Sequence, residues 1–199
     1  MAFPSRPASG EVRLVLPILK VAERVRQSLP LIDAKRRVLA ISSPTQVNPV
    51  SVLLVCALSR SSSGPVLYLS VDRPNDTLTK MVNKHCSNGP SILFPNKFQD
   101  PPKPREVNCA SSLFAPKLLL ETAGLLSDPK AGPATLVMGN LSTLAFYNSN
   151  DRIKEFISKL GELLNAGSIC KLVIVMDRSA QYLYSLASEF CETELDFSQ

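Results

Sequence analysis

The chain has few of the residues that build metal sites. It contains a single histidine, His85, and five cysteines that are widely separated and form no Cys-x-x-Cys pair. Because a zinc site needs clustered thiolates or imidazoles, this composition argues against a zinc centre. We interpret the cysteines as buried reduced thiols and leave a disulfide open.

Long apolar runs and a secretory leader are absent as well. No apolar run approaches the roughly 18 residues that a membrane-spanning helix needs. The N-terminal residues also lack the charged-then-apolar layout of a signal peptide. We therefore expect a cytoplasmic protein without membrane contact. Its 199 residues, 45% of them hydrophobic and 20% charged, suit one α/β domain with a large core.

Positive charge is in modest excess. The net charge is +5, and Lys35, Arg36 and Arg37 form a basic cluster. Such a surface can attract a phosphate backbone or an acidic partner. No aromatic residues interleave with the cluster, as they would in a base-stacking platform. A solvated surface is the favoured interpretation, and nucleic-acid contact is kept as an alternative that is not favoured.

Short apolar runs alternate with helical patterns along most of the chain. The runs predict strands at residues 38–41, 65–71, 91–95, 135–138, 172–176 and 193–197, the last at a sheet edge. Helical spacing predicts helices at residues 12–29, 50–59, 75–85, 113–126, 151–164 and 182–190, with Pro17 in the first turn of the first helix. Residues 96–108 are rich in proline and polar side chains, which predicts an exposed loop.

This order of elements predicts an α/β fold. A strand, a crossover helix and another strand form a parallel unit, and right-handed crossovers place helices on both faces of the sheet. We therefore predict a mostly parallel sheet in a three-layer sandwich. The predicted organisation is an N-terminal arm with a helix at residues 1–36, followed by a single domain at residues 37–199.

The segment after the predicted strand 135–138 carries a resemblance to a known family. It reads Gly139-Asn140-Leu141-Ser142-Thr143-Leu144 and then Phe146-Tyr147-Asn148-Ser149. This pattern resembles the Walker B region of RecA/KaiC-like P-loop ATPases, closest to an archaeal group that reads Asp-Ser-Leu-Ser-Thr-Leu there. In that family the Asp orients the water shell of magnesium, whereas Gly139 has no ligand to offer. The resemblance covers residues 37–197 and implies a RecA-like sheet.

Residues 42–51 follow the first predicted strand, where the family carries its phosphate-binding loop. In such a loop glycines let backbone N–H groups surround phosphate, a Lys reaches the terminal phosphates, and a Ser or Thr binds magnesium. The alignment places Pro49 at the Lys position and Val50 at the Ser/Thr position, after a loop without glycine that contains Ser43, Gln46 and Asn48. The resemblance therefore implies degenerate motifs, with no cofactor, no metal and no catalytic residue.

Asp72 and Arg73 fall where KaiC-like ATPases carry adjacent glutamates, one of which activates the attacking water. The archaeal group reads Val-Asn/Asp-Arg-Pro in this segment. Asp72 could act as a base, although a turn or cap before the next helix is the favoured interpretation. Together with Asn140, these two residues form a candidate residual site.

These observations favour a non-catalytic RecA/KaiC-like domain, a pseudo-ATPase that acts as an interaction or regulatory subunit. We expect a protein partner, either a second copy or an active RecA-like ATPase. The expected contact surfaces are residues 12–29 and the end of the sheet that carries residues 43–48, 72–73 and 140–148. For residues 12–29, packing on their own domain is the favoured interpretation. The alternatives are an ATP-binding or ATP-hydrolysing enzyme with an unorthodox site, and a nucleic-acid-binding module.

Overall fold

The computed structural model describes residues 9–71, 79–80, 82–84, 86, 107–126 and 132–198, with side chains described from residue 19 onward. The strand predicted at residues 91–95 lies outside these residues. So do Asp72, Arg73, His85 and the beginning of the helix predicted at residues 75–85.

The core of the fold is a parallel sheet of six strands. In chain order they are β1 (Arg37–Ile41), β2 (Val66–Ser70), β3 (Val107–Ser111), β4 (Ala134–Gly139), β5 (Ile169–Met176) and β6 (Thr193–Asp196). Their order across the sheet is β3-β2-β4-β5-β1-β6, and every neighbouring pair is parallel. Every residue of β2 and β4 is buried, as expected for strands that are covered on both faces.

Six helices that the structure describes over their full length connect and cover these strands. They are α1 (Ser9–Ala34), α2 (Val47–Ser61), α3 (Ala115–Leu125), α4 (Leu141–Leu144), α5 (Asn150–Asn165) and α6 (Gln181–Phe190). The described residues between 79 and 86 are also helical. Among the helices that the structure describes, none combines the length and the apolar character needed to cross a bilayer.

Alternation along the strands divides the core into two clusters. Tyr68 and Val137 contribute to the first cluster, which contains buried residues of α1 and α2. Leu67 and Met138, their neighbours in sequence, contribute to the second cluster with residues of α3, α5 and α6. Because successive side chains of a strand point to opposite faces, the two clusters lie on opposite sides of the sheet. The predicted α/β fold with helices on both faces is confirmed.

The N-terminal helix joins the first cluster. Val21, Ala22, Val25 and Ile32 of α1 are buried there with residues of α2. The helix begins at Ser9, so Pro17 lies within it, and the prediction that Pro17 occupies the first turn is wrong. A proline removes only one helical hydrogen bond, and the buried residues that follow stabilise the helix on α2. The division into residues 1–36 and 37–199 stays a prediction.

The third strand lies where part of the exposed loop was predicted. Residues 96–108 were expected to be a loop, but β3 begins at Val107 and pairs with β2 alone. Val107 and Cys109 face the core, whereas Asn108 is exposed. The sequence Val-Asn-Cys-Ala-Ser lacks the aliphatic run that identifies β1 and β2, and much of the stabilisation of β3 comes from its pairing with β2.

Two neighbouring strands continue on opposite sides of the sheet. The connection after β1 runs through α2 on the first face, and the connection after β5 runs through α6 on the second face. Strands β1 and β5 are adjacent, so their carboxyl ends form a topological switch point. In open α/β sheets this is where ligands usually bind.

Candidate functional site

The loops after β1, β4 and β5 meet at one edge of the sheet, which we call the carboxyl edge. The Ser42 N–H donates to the Met176 carbonyl at 3.0 Å, which joins the ends of β1 and β5. The Ser142 hydroxyl donates to the Asp177 carbonyl at 3.1 Å and accepts from the Asp177 N–H at 3.3 Å. Ser43 and Gln46 follow β1 and Asn140 follows β4, so all three lie at this edge, whereas a shared site formed by them stays a prediction.

The turn after β1 uses its own backbone amides. The N–H groups of Gln46 and Val47 both donate to the Ser43 carbonyl, at 2.9 and 3.2 Å. The amides at a helix N-terminus are the groups that bind a phosphate in a P-loop. Here two of them are occupied by the chain itself. Pro49, the third residue of α2, has no N–H to offer.

The start of α2 is packed into the core. Val47 and Val50 are buried in the first cluster, while Asn48 and Pro49 are half-buried. Pro49 costs little in this position, because first-turn amides have no acceptor within the helix. An apolar side chain at Val50 provides no ligand for a metal. Val47 and Val50, on either side of Asn48 and Pro49, therefore serve the core.

Gly139 lies against the Tyr68 side chain. A Cβ atom at Gly139 would lie 2.6 Å from the Tyr68 hydroxyl oxygen, 2.8 Å from its Cε2 atom and 2.9 Å from the Ser51 hydroxyl oxygen. All three residues are on the face of the sheet that α2 covers. The space that a side chain at position 139 would occupy is thus filled by a tyrosine ring and a serine hydroxyl.

The hydroxyl that faces Gly139 belongs to Ser51, one residue beyond Val50. Ser51 is fully buried, and its hydroxyl donates to the Val47 carbonyl at 2.8 Å. That bond directs the hydroxyl proton back into α2. The alignment with the family places its magnesium-binding hydroxyl at position 50. It therefore missed that the Ser51 hydroxyl lies beside Gly139. A serine within the first turns of α2 was the available signal.

Asn140 adopts a left-handed backbone conformation, with φ of 59° and ψ of 63°. Asparagine tolerates this region better than most residues because its short side chain can bond locally. Its Oδ1 atom is buried and, within the residues that the structure describes, has no hydrogen-bond partner. The same holds for the Ser42 hydroxyl and for Oε1 of Gln46. Three buried polar atoms of the carboxyl edge therefore have no partner within the part of the chain that the structure describes.

Asp177 is an acidic residue of this edge that the sequence analysis did not single out. It follows β5 directly and is 5% exposed. One carboxylate oxygen accepts a hydrogen bond from the Ser179 N–H at 2.7 Å, so the side chain stabilises the turn into α6. Its position immediately after a buried central strand was the signal that could have identified it.

Exposed aromatic side chains line the carboxyl edge. They are Phe114 after β3, Phe146 and Tyr147 after β4, and Tyr182 at the start of α6, with exposed fractions of 54, 80, 49 and 44%. We call these four residues the aromatic rim. They are all the aromatic side chains that the structure describes as exposed. Large exposed aromatic residues are typical of protein interfaces.

One side chain fastens two parts of the rim together. The side-chain oxygen Oδ1 of Asn148 accepts from the Ala115 N–H at 3.0 Å. Its side-chain nitrogen Nδ2 donates to the carbonyls of Leu113 and Leu144 at 2.8 and 3.0 Å. The loop before α3 and the loop after α4 are thereby joined. Phe114 and Tyr147, the neighbours of these contacts in sequence, are held at the same edge.

The basic cluster lies at the opposite edge of the sheet, at the beginning of β1. Arg36 donates to the Leu164 carbonyl at 2.7 Å, and Arg37 pairs with Glu192 at 3.2 Å. The Arg37 guanidinium also lies 5.3 Å from the centre of the Phe190 ring. Two of the three cations therefore stabilise the fold. Lys35 is half-buried and makes no side-chain hydrogen bond or ion pair among the residues described.

The part of the chain that the structure describes contains no group of three His, Cys, Asp or Glu residues that could hold a metal ion. Asp72 and Arg73 lie outside the described residues, so their predicted place beside Asn140 stays a prediction. Comparison with protein-family models gave no match, and comparison with curated proteins gave none either.

Proposed function

We propose that this chain is a non-catalytic RecA/KaiC-like domain that acts by associating with a protein partner. The observation that carries the proposal is the aromatic rim. Phe114, Phe146, Tyr147 and Tyr182 are exposed at the edge of the sheet where α/β proteins usually bind their ligands. Aromatic anchors contribute much of the binding energy of protein interfaces, because they bury large areas with few rotatable bonds.

The interior of the same edge supports a domain without catalysis. The Ser43 carbonyl accepts hydrogen bonds from two amides at the start of α2, those of Gln46 and Val47. Tyr68 and Ser51 occupy the space beside Gly139. A nucleotide phosphate would have to displace the Ser43 carbonyl from these amides. A carboxylate side chain at position 139 would have to displace Tyr68 and Ser51. The chain thus retains a packed sheet. The residues at the positions of the family's phosphate loop and of its acidic residue, here Gly139, contribute to packing.

The kind of partner follows from the proposed family. RecA-like subunits place their nucleotide between neighbours, so a degenerate subunit can keep an assembly surface after losing hydrolysis. We therefore propose another RecA-like subunit as the partner, either a second copy of this chain or an active ATPase. The rim would contact that subunit at the sheet end that faces a neighbour in such assemblies.

A polar ligand site at the carboxyl edge is the second candidate. The atoms of Ser42, Gln46 and Asn140 that have no partner among the described residues favour it, since an unsatisfied buried polar group costs about 1–3 kcal/mol. This would correspond to an enzyme with unorthodox nucleotide handling. Nucleic-acid binding ranks below it, because Arg36 and Arg37 are engaged in contacts within the fold.

Light scattering and affinity capture with rim variants test the association. We expect the wild-type protein to form a complex, with itself or with a RecA-like ATPase captured from native extract. The change Phe146→Ser should weaken that complex at least about tenfold, as expected for an aromatic anchor. Leu120→Ser is the matched control, because Leu120 is 73% exposed on α3 and lies outside the rim.

Two results would contradict the proposal. One is a strictly monomeric protein that captures no RecA-like partner. The other is a complex that Phe146→Ser and Leu120→Ser weaken equally, because the rim would then have no special role.

A further inference from the structure

Two buried cysteines from different elements lie side by side in the first core cluster. Cys56 is on α2 and Cys86 is on the helical segment that precedes β3. Their sulfur atoms are 2.7 Å apart, whereas a disulfide bond measures about 2.05 Å. Both thiols are unbonded in the structure, and their residues are 7% and 2% exposed.

The surroundings of this pair hold the two elements in place. The Arg60 guanidinium, one turn after Cys56, donates to the Cys86 carbonyl at 2.8 Å. Val82, one turn before Cys86, is buried in the same cluster, as is Cys109 of β3. The backbone on each side of the two thiols is therefore anchored by packing and by a charge-assisted hydrogen bond.

The two thiols are electrostatically unequal. The hydrogen bond from Cys56 lowers the pKa of the Cys86 thiol, against the opposing effect of burial. The same contact, together with burial, raises the pKa of Cys56. The guanidinium of Arg60 favours the thiolate at both positions. A thiolate is the form that attacks a disulfide.

We propose that Cys56 and Cys86 are a site of covalent modification at which an intramolecular disulfide forms. The reactant is a disulfide-bearing oxidant, either a small molecule or a protein. The Cys86 thiolate attacks one sulfur of the oxidant, forming a mixed disulfide and releasing one thiolate. Cys56 loses its proton to that thiolate and attacks the Cys86 sulfur, which releases the second half of the oxidant. Two protein thiols are oxidised, and one disulfide is reduced to two thiols.

The link would close a loop whose ends are 30 residues apart. That loop contains the carboxyl end of β2 and the positions of Asp72 and Arg73. It would tie the segment before β3 to α2, and so restrict the unfolded chain more than the folded one. We expect oxidation to raise the melting temperature by about 5–10 °C, and a reductant to reverse the change.

Refolding in a redox buffer tests the proposal, because the oxidant can reach Cys56 and Cys86 before folding buries them. The unfolded, reduced chain is diluted into oxidised and reduced glutathione, quenched with N-ethylmaleimide, digested with trypsin and analysed by mass spectrometry. The expected product is a peptide of residues 38–60 joined to one of residues 85–97, about 2 Da lighter than the sum of the two. The exposed Cys170 reports that the oxidant was active, because it should carry glutathione.

Variants separate the pair from the other cysteines. Cys109→Ala should keep both the link and the effect of the reductant on melting, since Cys109 is a buried cysteine outside the pair. Cys86→Ala should abolish both. The proposal is overturned if Cys56 and Cys86 of the wild-type chain are both alkylated while Cys170 carries glutathione. It is equally overturned if Cys109 forms the link with either of them.

Discussion

Tyr68 and Gly139 act as a matched pair. The tyrosine ring fills the space that a side chain at position 139 would need, so glycine is required there for room. The backbone of Gly139 does not have a positive φ, so its conformation alone does not call for glycine. A residue that the family resemblance presents as the loss of a ligand thus has a packing role of its own.

Gly139→Ala should lower the free energy of unfolding by about 1–3 kcal/mol, the usual cost of overpacking a core. The new Cβ would lie 2.6 Å from the Tyr68 hydroxyl oxygen, and both neighbours are buried. Denaturant unfolding measures the change.

Gly124→Ala is the matched control for this change. Apart from its chain neighbours and the backbone of its own helix, no atom lies within 4 Å of a Cβ at Gly124, which is on α3. Alanine should be neutral or stabilise the helix by up to about 1 kcal/mol. Equal effects of the two substitutions would contradict the account of Gly139.

At the scale of elements, the carboxyl edge depends on how its loops are joined. Asn148, in the loop after α4, binds the loop before α3 through two hydrogen bonds, and a third holds its amide on the Leu144 carbonyl of α4. Strand β2 lies between β3 and β4, so these two loops come from strands that do not touch in the sheet. One amide side chain therefore connects aromatic residues contributed by separate strands.

Asn148→Ala should cost about 1–3 kcal/mol of unfolding free energy, because it leaves backbone groups of Leu113 and Ala115 without their partner. It should also weaken any association that depends on the rim. Asn165→Ala is a suitable control, since Asn165 is exposed at the end of α5, and surface changes usually stay within about 0.5 kcal/mol. Denaturant unfolding compares the two variants, and equal stabilities would contradict the bridging role.

The elements differ in how far the sequence predicted them. Strands β1, β2, β4 and β5 were predicted within a few residues, because their buried aliphatic runs carry the signal locally. Strand β3 was missed, because it has few apolar residues and depends on pairing with β2. The contact of Tyr68 with Gly139 joins residues that are far apart in the chain, so no local pattern could reveal it.

At the scale of the whole molecule, the two ends of the sheet carry different chemistry. The carboxyl edge has the aromatic rim and the closed turn after β1, and the opposite edge has the basic cluster. The sequence predicted residues 43–48 and 140–148 at the carboxyl edge, because parallel strands end together, and residues 72–73, predicted for the same edge, lie outside the described residues. It could not predict that Arg36 and Arg37 would be engaged by Leu164 and Glu192, which follow much later in the chain.

Because of this engagement, we expect no mobility shift of single- or double-stranded nucleic acid at low salt. A shift that weakens steeply with added salt would contradict the expectation, since such a slope reports phosphate contacts. Lys35→Glu should then abolish the shift if the basic cluster is responsible. Lys154→Glu on the exposed side of α5 is the control for a general effect of charge.

We infer that the turn after β1 does not bind a nucleotide phosphate, because two of its amides already donate to the Ser43 carbonyl. Calorimetric titration with ATP and magnesium tests it most directly. We expect no binding heat for the wild-type protein, and none for Pro49→Lys, because a lysine alone restores neither the glycines nor the two amides that donate to the Ser43 carbonyl. Binding of ATP with micromolar affinity by the wild-type protein would contradict the claim.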